Sequence, residues 1–251
     1  MNNIELKTKC LYEENFSFKG WDFSHIDGRY DSQLLPWDYT HIVKSILKNT
    51  DNLLDMGTGG GEFLLSLNHP YLLTSVTEAY LPNIDLCKNL LSPLGITVAQ
   101  TYDDGKLPFD DSSFDVIINR HESFDLLEVN RTLKSGGYFI TQQVGGKNNN
   151  DLSRRLIENF EPEFSNHVLN YYLEGLKSLN YEIIQSNEFF PFVRFYDIGA
   201  LVYFAKIIEW EFPNFSVEAC FDKLSLCQKE IEEKGYLQGT EHRFLIVAKK
   251  L

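Results

Sequence analysis

From Asn52 onward, short apolar segments alternate with amphipathic segments along the chain. Short apolar runs are typical of buried strands, and the segments between them have the spacing of helices with one apolar face. Five strands are predicted, over residues 52–57, 71–80, 95–103, 113–120 and 137–144. This alternation predicts an α/β fold with a mostly parallel sheet covered by helices on both faces.

Two later apolar segments extend the predicted sheet. Residues 181–190 and 242–250 predict strands that pair antiparallel at one edge, so that seven strands are expected in total. We expect a single domain whose sheet core spans residues 51–190 and 240–251. The first fifty residues, a helical stretch at 151–179 and the segment 191–239 lie outside the strands.

The composition mainly excludes certain classes of protein. The chain has 251 residues and is 43% hydrophobic, which is enough for a full core. Its first residues lack the apolar stretch of a signal peptide, and its longest apolar run, IGALVYFAKII, is shorter than the roughly 20 residues that cross a bilayer. We therefore expect a soluble, cytoplasmic protein without membrane association. The four cysteines form no CxxC pair, so neither disulfides nor a metal site are expected.

The stretch LLDMGTGGGE contains four glycines in five residues and follows directly from the first predicted strand. Such a turn lets a ligand approach the backbone at the positive end of a helix. A P-loop needs a lysine after its last glycine, whereas Glu62 follows Gly61. A dinucleotide-binding turn needs a small residue where Glu62 stands, which weakens that interpretation without eliminating it. The remaining pattern is Asp55-x-Gly57-x-Gly59-x-Gly61.

This pattern resembles motif I of the class I S-adenosylmethionine-dependent methyltransferases, in the type 11 branch that includes ubiquinone and menaquinone biosynthesis enzymes. S-adenosylmethionine carries a sulfonium and an ammonium but no phosphate, so carboxylates beside the turn suit it. Glu78 stands where the family places an acid that binds ribose, although an acid at a helix start is the alternative interpretation. YDDGKLPFDDSSFDVIINRH is similar to the third and fourth motifs, and LKSGGYFI is similar to the corner before strand five, with Ser135 replacing a proline. The resemblance covers residues 53–144.

The resemblance implies a Rossmann-like sheet of seven strands, mostly parallel with an antiparallel C-terminal strand. It also implies that S-adenosylmethionine is the cofactor and S-adenosylhomocysteine the product, with no metal. The implied cofactor-binding residues lie in the turn and at the strand ends, with Asp103 near the adenine amino group: they are Asp55, Gly57, Thr58, Gly59, Gly61, Glu78, Ala79, Asp103, Asp104 and Asn119.

The acceptor side is less well determined by the sequence. By the same resemblance, residues 1–50 form a helical lid. The aromatic residues that follow Pro191 are interpreted first as core packing, and as an alternative the segment 191–239 is a helical insertion that caps the substrate. His121, at the end of the fourth strand, is the candidate base, although a histidine that bonds to backbone at a loop-to-helix junction is an alternative. Candidate acceptor-binding residues are Trp37, Arg120, Arg194 and Tyr196, for which core packing and surface ion pairs are the alternatives.

The expected function is methyl transfer to a small-molecule acceptor. A net charge of −13 and the lack of a basic run count against nucleic acid as substrate. Residues 119–122 do not match the aromatic turn of adenine methylases, and no cysteine near them could serve a cytosine C5 enzyme. Two alternatives remain: an RNA base methyltransferase whose acidic surface is confined to its back, and a catalytically silent module that binds the cofactor. The sequence identifies neither the acceptor nor the oligomeric state.

Overall fold

The computed structural model describes residues 2–18, 23–102 and 106–251. The chain divides into two units, each built from separate stretches of the sequence. The sheet unit comprises Pro36–Val144, Val168–Glu188 and Phe244–Leu251; the accessory unit comprises Met1–Leu35, Gly145–His167 and Phe189–Arg243. Asp103 and Asp104, two predicted cofactor-binding residues, lie outside the described residues.

Within the described residues, strands and helices alternate through the middle of the chain. The strands are β1 (Tyr30–Ser32), β2 (Leu53–Met56), β3 (Thr74–Glu78), β4 (Thr97–Gln100), β5 (Phe114–Arg120), β6 (Leu133–Val144), β7 (Tyr181–Phe189), β8 (Phe192–Phe195), β9 (Leu237–Thr240) and β10 (Arg243–Lys250). The helices are α1 (Asn3–Glu14), α2 (Tyr39–Ile46), α3 (Glu62–Ser66), α4 (Leu81–Leu90), α5 (Leu126–Thr132), α6 (Asn150–Leu156), α7 (Leu169–Ser178), α8 (Ile198–Ile207) and α9 (Val217–Lys234).

The main sheet has seven strands in the order β4-β3-β2-β5-β6-β10-β7. The pairs β2–β3, β3–β4, β2–β5 and β5–β6 are parallel. The C-terminal strand β10 is antiparallel, and the backbone N–H of Leu251, after its end, donates to the carbonyl of Asn180, before the start of β7. These observations confirm the predicted fold class. The strand order reverses direction between β2 and β5, and ligands of open α/β sheets bind at the carboxyl ends of the strands beside such a point.

Both faces of this sheet are covered, which explains why its central strands β2 and β5 are buried along almost their whole length. Successive residues of one strand point to opposite faces, and neighbouring side chains therefore enter different core clusters. Leu53, Ile118 and Leu245 belong to one cluster. Leu54, Ile117 and Ile246 belong to the other. A parallel sheet buried in this way needs apolar side chains on both faces.

The accessory unit has a three-stranded antiparallel sheet in the order β1-β8-β9. Its core is formed with helices α1, α6, α8 and α9, and it fully buries Phe195, Tyr203 and Phe212. The aromatic residues of this segment therefore pack largely against one another, as the first interpretation of their sequence predicted.

The boundaries of the predicted lid and insertion differ from those observed. Residues 1–35 belong to the accessory unit, whereas α2 places Tyr39 and Val43 in the core of the sheet unit. The segment 191–239 is not entirely helical, because it contains β8 and β9. In β8, the buried residues Val193 and Phe195 alternate with partly buried positions. The helical stretch predicted at 151–179 is divided between α6 of the accessory unit and α7 of the sheet unit.

Across the described part of the chain, none of the helices combines the length and the apolar character that a membrane crossing requires.

Candidate functional site

The glycine turn lies between β2 and α3 and depends on glycine for its conformation. Gly57, Gly59 and Gly61 have φ values of 67°, 62° and 86°, which L-residues with side chains rarely adopt. A Cβ at Gly57 would overlap the side chain of Glu122, so this glycine is needed for packing. A Cβ at Gly59 would have no atom within 4 Å, so this glycine faces open space. The turn is therefore closed by protein at Gly57 and open to a ligand at Gly59.

Glu78, the last residue of β3, ties the turn to the neighbouring strand. Its Oε2 accepts from the backbone N–H of Gly59 at 2.8 Å, and its Oε1 accepts from the N–H groups of Ala79 and Tyr80, both at 3.0 Å. The side chain is only 5% exposed. A carboxylate has about four lone-pair positions, and three of them are used here. One acceptor position remains for a ligand donor such as a ribose hydroxyl.

Asp55 is a second buried acid at the same site, located in β2 and 4% exposed. Burial raises the pKa of its carboxyl to about 7, and the nearby charge of Glu78 adds to the increase. The Thr58 hydroxyl and the charge of Arg120 oppose it. A ligand with positive charge beside the open glycine would favour the ionised form of Asp55, whereas a pyrophosphate would disfavour it.

A small pocket opens between the carboxyl ends of β2 and β3 and the segments after β4 and β5. Its lining includes three predicted residues, Gly57, Glu78 and Ala79. The other lining residues are Met56, Thr77, Thr101, Leu107, Glu122 and Ser123. Leu107 belongs to the LPF turn noted in the sequence, whereas Thr101 and Glu122 carried no signal of their own.

Asn119 is predicted to bind the cofactor, but its side chain is fully buried and does not line this pocket. Its Oδ1 accepts from Thr141 Oγ1 at 3.1 Å and from Gln143 Nε2. Gln143 Nε2 also donates to the Glu122 carbonyl at 3.1 Å. The Asn119 Nδ2 atom has no hydrogen-bond partner among the described residues. In this structure, Asn119 therefore joins β5 to β6 and, through Gln143, supports the loop after β5.

Three predicted acceptor-side residues meet at the carboxyl end of β5. His121 has a positive φ of 65°, and its backbone N–H donates to the Gln142 carbonyl at 2.9 Å. The His121 ring atom Nε2 lies 3.0 Å from Gln142 Nε2, and the Trp37 indole N–H donates to Gln142 Oε1 at 2.8 Å. The Arg120 guanidinium lies 5.0 Å from the centre of the Phe63 ring.

Sequence reasoning missed the residue that joins His121 to Trp37, which is Gln142. A signal for it was present, because TQQV places three consecutive polar residues directly after the apolar run YFI of the predicted strand. Polar side chains are buried in a sheet at a cost unless they are hydrogen-bonded. Such a run therefore indicates a polar network.

The other two predicted acceptor residues belong to the accessory unit. The Arg194 guanidinium lies between the rings of Phe192 and Tyr236, at 4.1 and 4.4 Å from their centres. Its Nε donates to Gln238 Oε1 at 3.0 Å. Tyr196 is exposed, and a hydrogen bond to Asp31 raises the pKa of its hydroxyl. Among the described residues, no group of three or more His, Cys, Asp or Glu side chains is arranged to hold a metal ion.

Comparison with known proteins adds independent findings. Residues 54–141 match the family model described as a methyltransferase domain. Among solved structures, the chain is similar to the YcgJ protein of Bacillus subtilis, with 17% identity and a TM-score of 0.55 over 84% of this chain and 97% of that one. A proposed methyltransferase of Bacillus halodurans C-125 has 14% identity and a TM-score of 0.54 over 84% and 96% of the two chains. These likenesses establish the fold. No curated protein sequence gives a significant match.

Proposed function

Because residues 54–141 form a class I S-adenosylmethionine-dependent methyltransferase domain, we propose that the protein methylates a small-molecule acceptor. Its cofactor is S-adenosylmethionine, which supplies an electrophilic methyl group on a sulfonium. The rate of such a transfer depends largely on holding the acceptor atom in line with the methyl group, and a base is needed only for a protonated acceptor.

The observation that carries the cofactor assignment at residue level is the carboxylate of Glu78 beside the open face of Gly59. We assign Glu78 to the ribose hydroxyls, since one of its acceptor positions is unused by the backbone. The pocket around Ala79, Thr101 and Leu107 has apolar and polar atoms suited to a nucleoside base. Asp55 favours the cationic groups of the cofactor over a pyrophosphate.

The acceptor side of the proposal rests on the polar groups at the carboxyl end of β5. His121 is the residue we assign to the acceptor's reacting group, with Trp37 and Arg120 beside it as binding residues. Arg194 and Tyr196 belong to the accessory unit, and their assignment to the acceptor stays a prediction. The two rings around Arg194 hold its guanidinium in one orientation, which suits a carboxylate or phosphate on the acceptor.

A small molecule is preferred over RNA because the chain has 36 acidic and only 23 basic residues. Neutralising a phosphate backbone requires Lys and Arg side chains, and the resulting affinity falls steeply with salt. RNA retention that is strong at low salt and lost at high salt would contradict this preference.

The first experiment measures thermal unfolding with S-adenosylhomocysteine and, separately, with NAD. A ligand at 100 times its Kd stabilises the folded protein by about 2.7 kcal/mol. We expect a clear increase in Tm with S-adenosylhomocysteine and none with NAD. An equal increase with NAD would contradict the cofactor assignment.

The second experiment measures formation of S-adenosylhomocysteine from the cofactor in separate small-molecule and RNA fractions of a cell extract. We expect turnover with the small-molecule fraction, and slower turnover in His121→Ala with an unchanged Tm shift. Turnover with RNA alone would support the RNA enzyme instead. Cofactor binding without turnover in either fraction would support the silent module.

A further inference from the structure

Three side chains at the carboxyl ends of β5 and β6 form a continuous hydrogen-bonded series within the sheet unit. The Trp37 Nε1–H donates to Gln142 Oε1 at 2.8 Å, and Gln142 Nε2 lies 3.0 Å from His121 Nε2. Gln142 is 7% exposed, so its amide has little access to water. Each end of this amide must therefore match its protein partner.

The chemistry of the three groups determines where the protons are. An indole nitrogen can only donate a hydrogen bond, so the atom of Gln142 that faces Trp37 must be the carbonyl oxygen. The amide NH₂ consequently faces His121, and an NH₂ group can only donate. His121 Nε2 must then accept with its lone pair, which requires a neutral ring with its proton on Nδ1.

The main chain holds His121 at the same place. Its backbone N–H donates to the carbonyl of Gln142 at 2.9 Å, and its φ of 65° is sparsely populated by residues with side chains. Gln142 thus contacts both the backbone and the ring of His121. Trp37 is itself packed against the core of the sheet unit, which limits its movement.

We propose that Gln142 is a positioning residue that fixes His121 as a neutral imidazole protonated on Nδ1. With Nε2 engaged by the Gln142 amide, His121 takes no proton through that atom, and the ring proton is on Nδ1. Any role of His121 toward the acceptor rests on the proposed function, whereas the assignment of the tautomer does not.

The charged residues next to His121 in the chain do not by themselves require this tautomer. Arg120 and Glu122 flank it, and Asp55 of the adjacent strand β2 interacts with the charge of Arg120. A positive and a negative neighbour have opposite effects on a protonated ring. The amide of Gln142 contacts Nε2 and thereby distinguishes the two ring nitrogens.

The test is the long-range ¹H–¹⁵N spectrum of the histidine side chains in the full-length protein, recorded near pH 7.5 without cofactor or acceptor. His121 signals are assigned by their loss in His121→Gln. In the wild type we expect an unprotonated Nε2 and a protonated Nδ1. A protonated Nε2 in the wild type would overturn the proposal.

Gln142→Glu supplies the sharpest variant, since a carboxylate can accept from both Trp37 and a protonated His121 Nε2. We expect Nε2 to become protonated in this variant. Gln100→Glu, which adds the same charge at the end of β4, should leave the wild-type signature unchanged. An unchanged His121 signature in Gln142→Glu would also overturn the proposal.

Trp37→Phe provides a second variant that removes only the indole donor. It frees the Gln142 amide to rotate, so we expect both tautomers of His121 to be populated. If Trp37→Phe showed only the wild-type tautomer of His121, Trp37 would not be the residue that orients Gln142. Because no turnover is measured, these outcomes are independent of whether the protein transfers a methyl group.

Discussion

At the scale of single residues, Glu78 has a structural role and a proposed binding role. Its carboxylate accepts from three backbone N–H groups, and it lines the pocket beside the glycine turn. These two roles separate in experiments, because unfolding reports on the backbone contacts and affinity reports on the remaining acceptor position.

We expect Glu78→Gln to reduce both stability and cofactor affinity. The amide keeps one acceptor oxygen but turns an NH₂ group toward a buried N–H, and leaving such a donor unsatisfied costs about 1–3 kcal/mol. Affinity for S-adenosylhomocysteine should fall by about tenfold or more, because hydrogen bonds to a charged group contribute about 1.5–3 kcal/mol. Calorimetric titration and denaturant unfolding measure the two effects.

Glu62→Gln is the matched control for this prediction. Glu62 is an exposed acid at the start of α3, beside the same turn, and changes to exposed residues usually alter stability by no more than about 0.5 kcal/mol. Equal losses of affinity in the two variants would show that the general negative charge matters, and not the acceptor position of Glu78.

At the scale of elements, a side chain in the turn from β2 to α3 would have two separate effects. It would strain the backbone, and it would fill space that a ligand needs. Gly59 and Gly136 have positive φ values of 62° and 81°, and a Cβ at either position would have no neighbour within 4 Å. Gly136 lies near the start of β6, whereas Gly59 follows the carboxyl end of β2. Comparing a substitution at Gly59 with the same substitution at Gly136 therefore separates the cost of backbone strain from the loss of space for a ligand.

We expect Gly59→Ala and Gly136→Ala to lose a similar amount of stability, on the order of 1–2 kcal/mol for an L-residue in the left-handed region. Only Gly59→Ala should weaken binding of S-adenosylhomocysteine, because its methyl group occupies the open face of the turn. Thermal shifts with and without ligand measure this difference. Equal binding of S-adenosylhomocysteine by the two variants would show that the ligand does not bind beside Gly59.

At the scale of the whole molecule, titrating groups oppose one another as the pH changes. Burial raises the pKa of Asp55 to about 7 in the sheet unit, and burial raises that of Glu211 to about 7 in the accessory unit against its bonds from Asn149 and Asn148. Burial alone would also raise the pKa of Asp197, but Arg29 and Lys9 hold it well below its usual range.

The signs of these shifts predict a stability maximum in mildly acidic solution. A carboxyl whose folded pKa is raised stabilises the fold below its unfolded pKa, and this contribution is lost as the pH rises toward 7. The Asp197 contribution is present above its unfolded pKa and is lost as the pH falls below about 4. We therefore expect the highest Tm between about pH 4 and 5, with a decline toward pH 7, measured by calorimetry across a pH series.

Glu211→Gln tests the molecular origin of this pH dependence. Asn149 Oδ1 has no partner among the described residues, so rotation of the Asn149 amide can satisfy the new NH₂ group. We expect a higher Tm than the wild type at pH 8, by about 2 °C or more for each kcal/mol gained. No gain is expected at pH 5, where the wild-type carboxyl is already protonated. An increase in Tm of the same size at pH 5 and pH 8 would contradict this explanation.

The amino-acid sequence by itself determined the local elements and the glycine turn. Short apolar segments predicted the seven strands of the main sheet, because burial of a strand leaves a pattern within the strand itself. The position of the turn and of Glu78 at the end of a strand was also predicted, since positive φ favours glycine. Most aromatic residues of 191–239 pack in a core, as first interpreted, whereas Tyr196 and Trp210 are exposed.

Tertiary structure alone decided which distant residues meet. Gln142 joins Trp37 to His121, Glu211 accepts from Asn148 and Asn149, and each unit combines separate stretches of the chain. No local pattern contains these pairings, because they depend on the order of strands in the sheet and on contacts that span about a hundred residues for Trp37. A periodic pattern records which face of an element is buried; it does not record which partner covers that face.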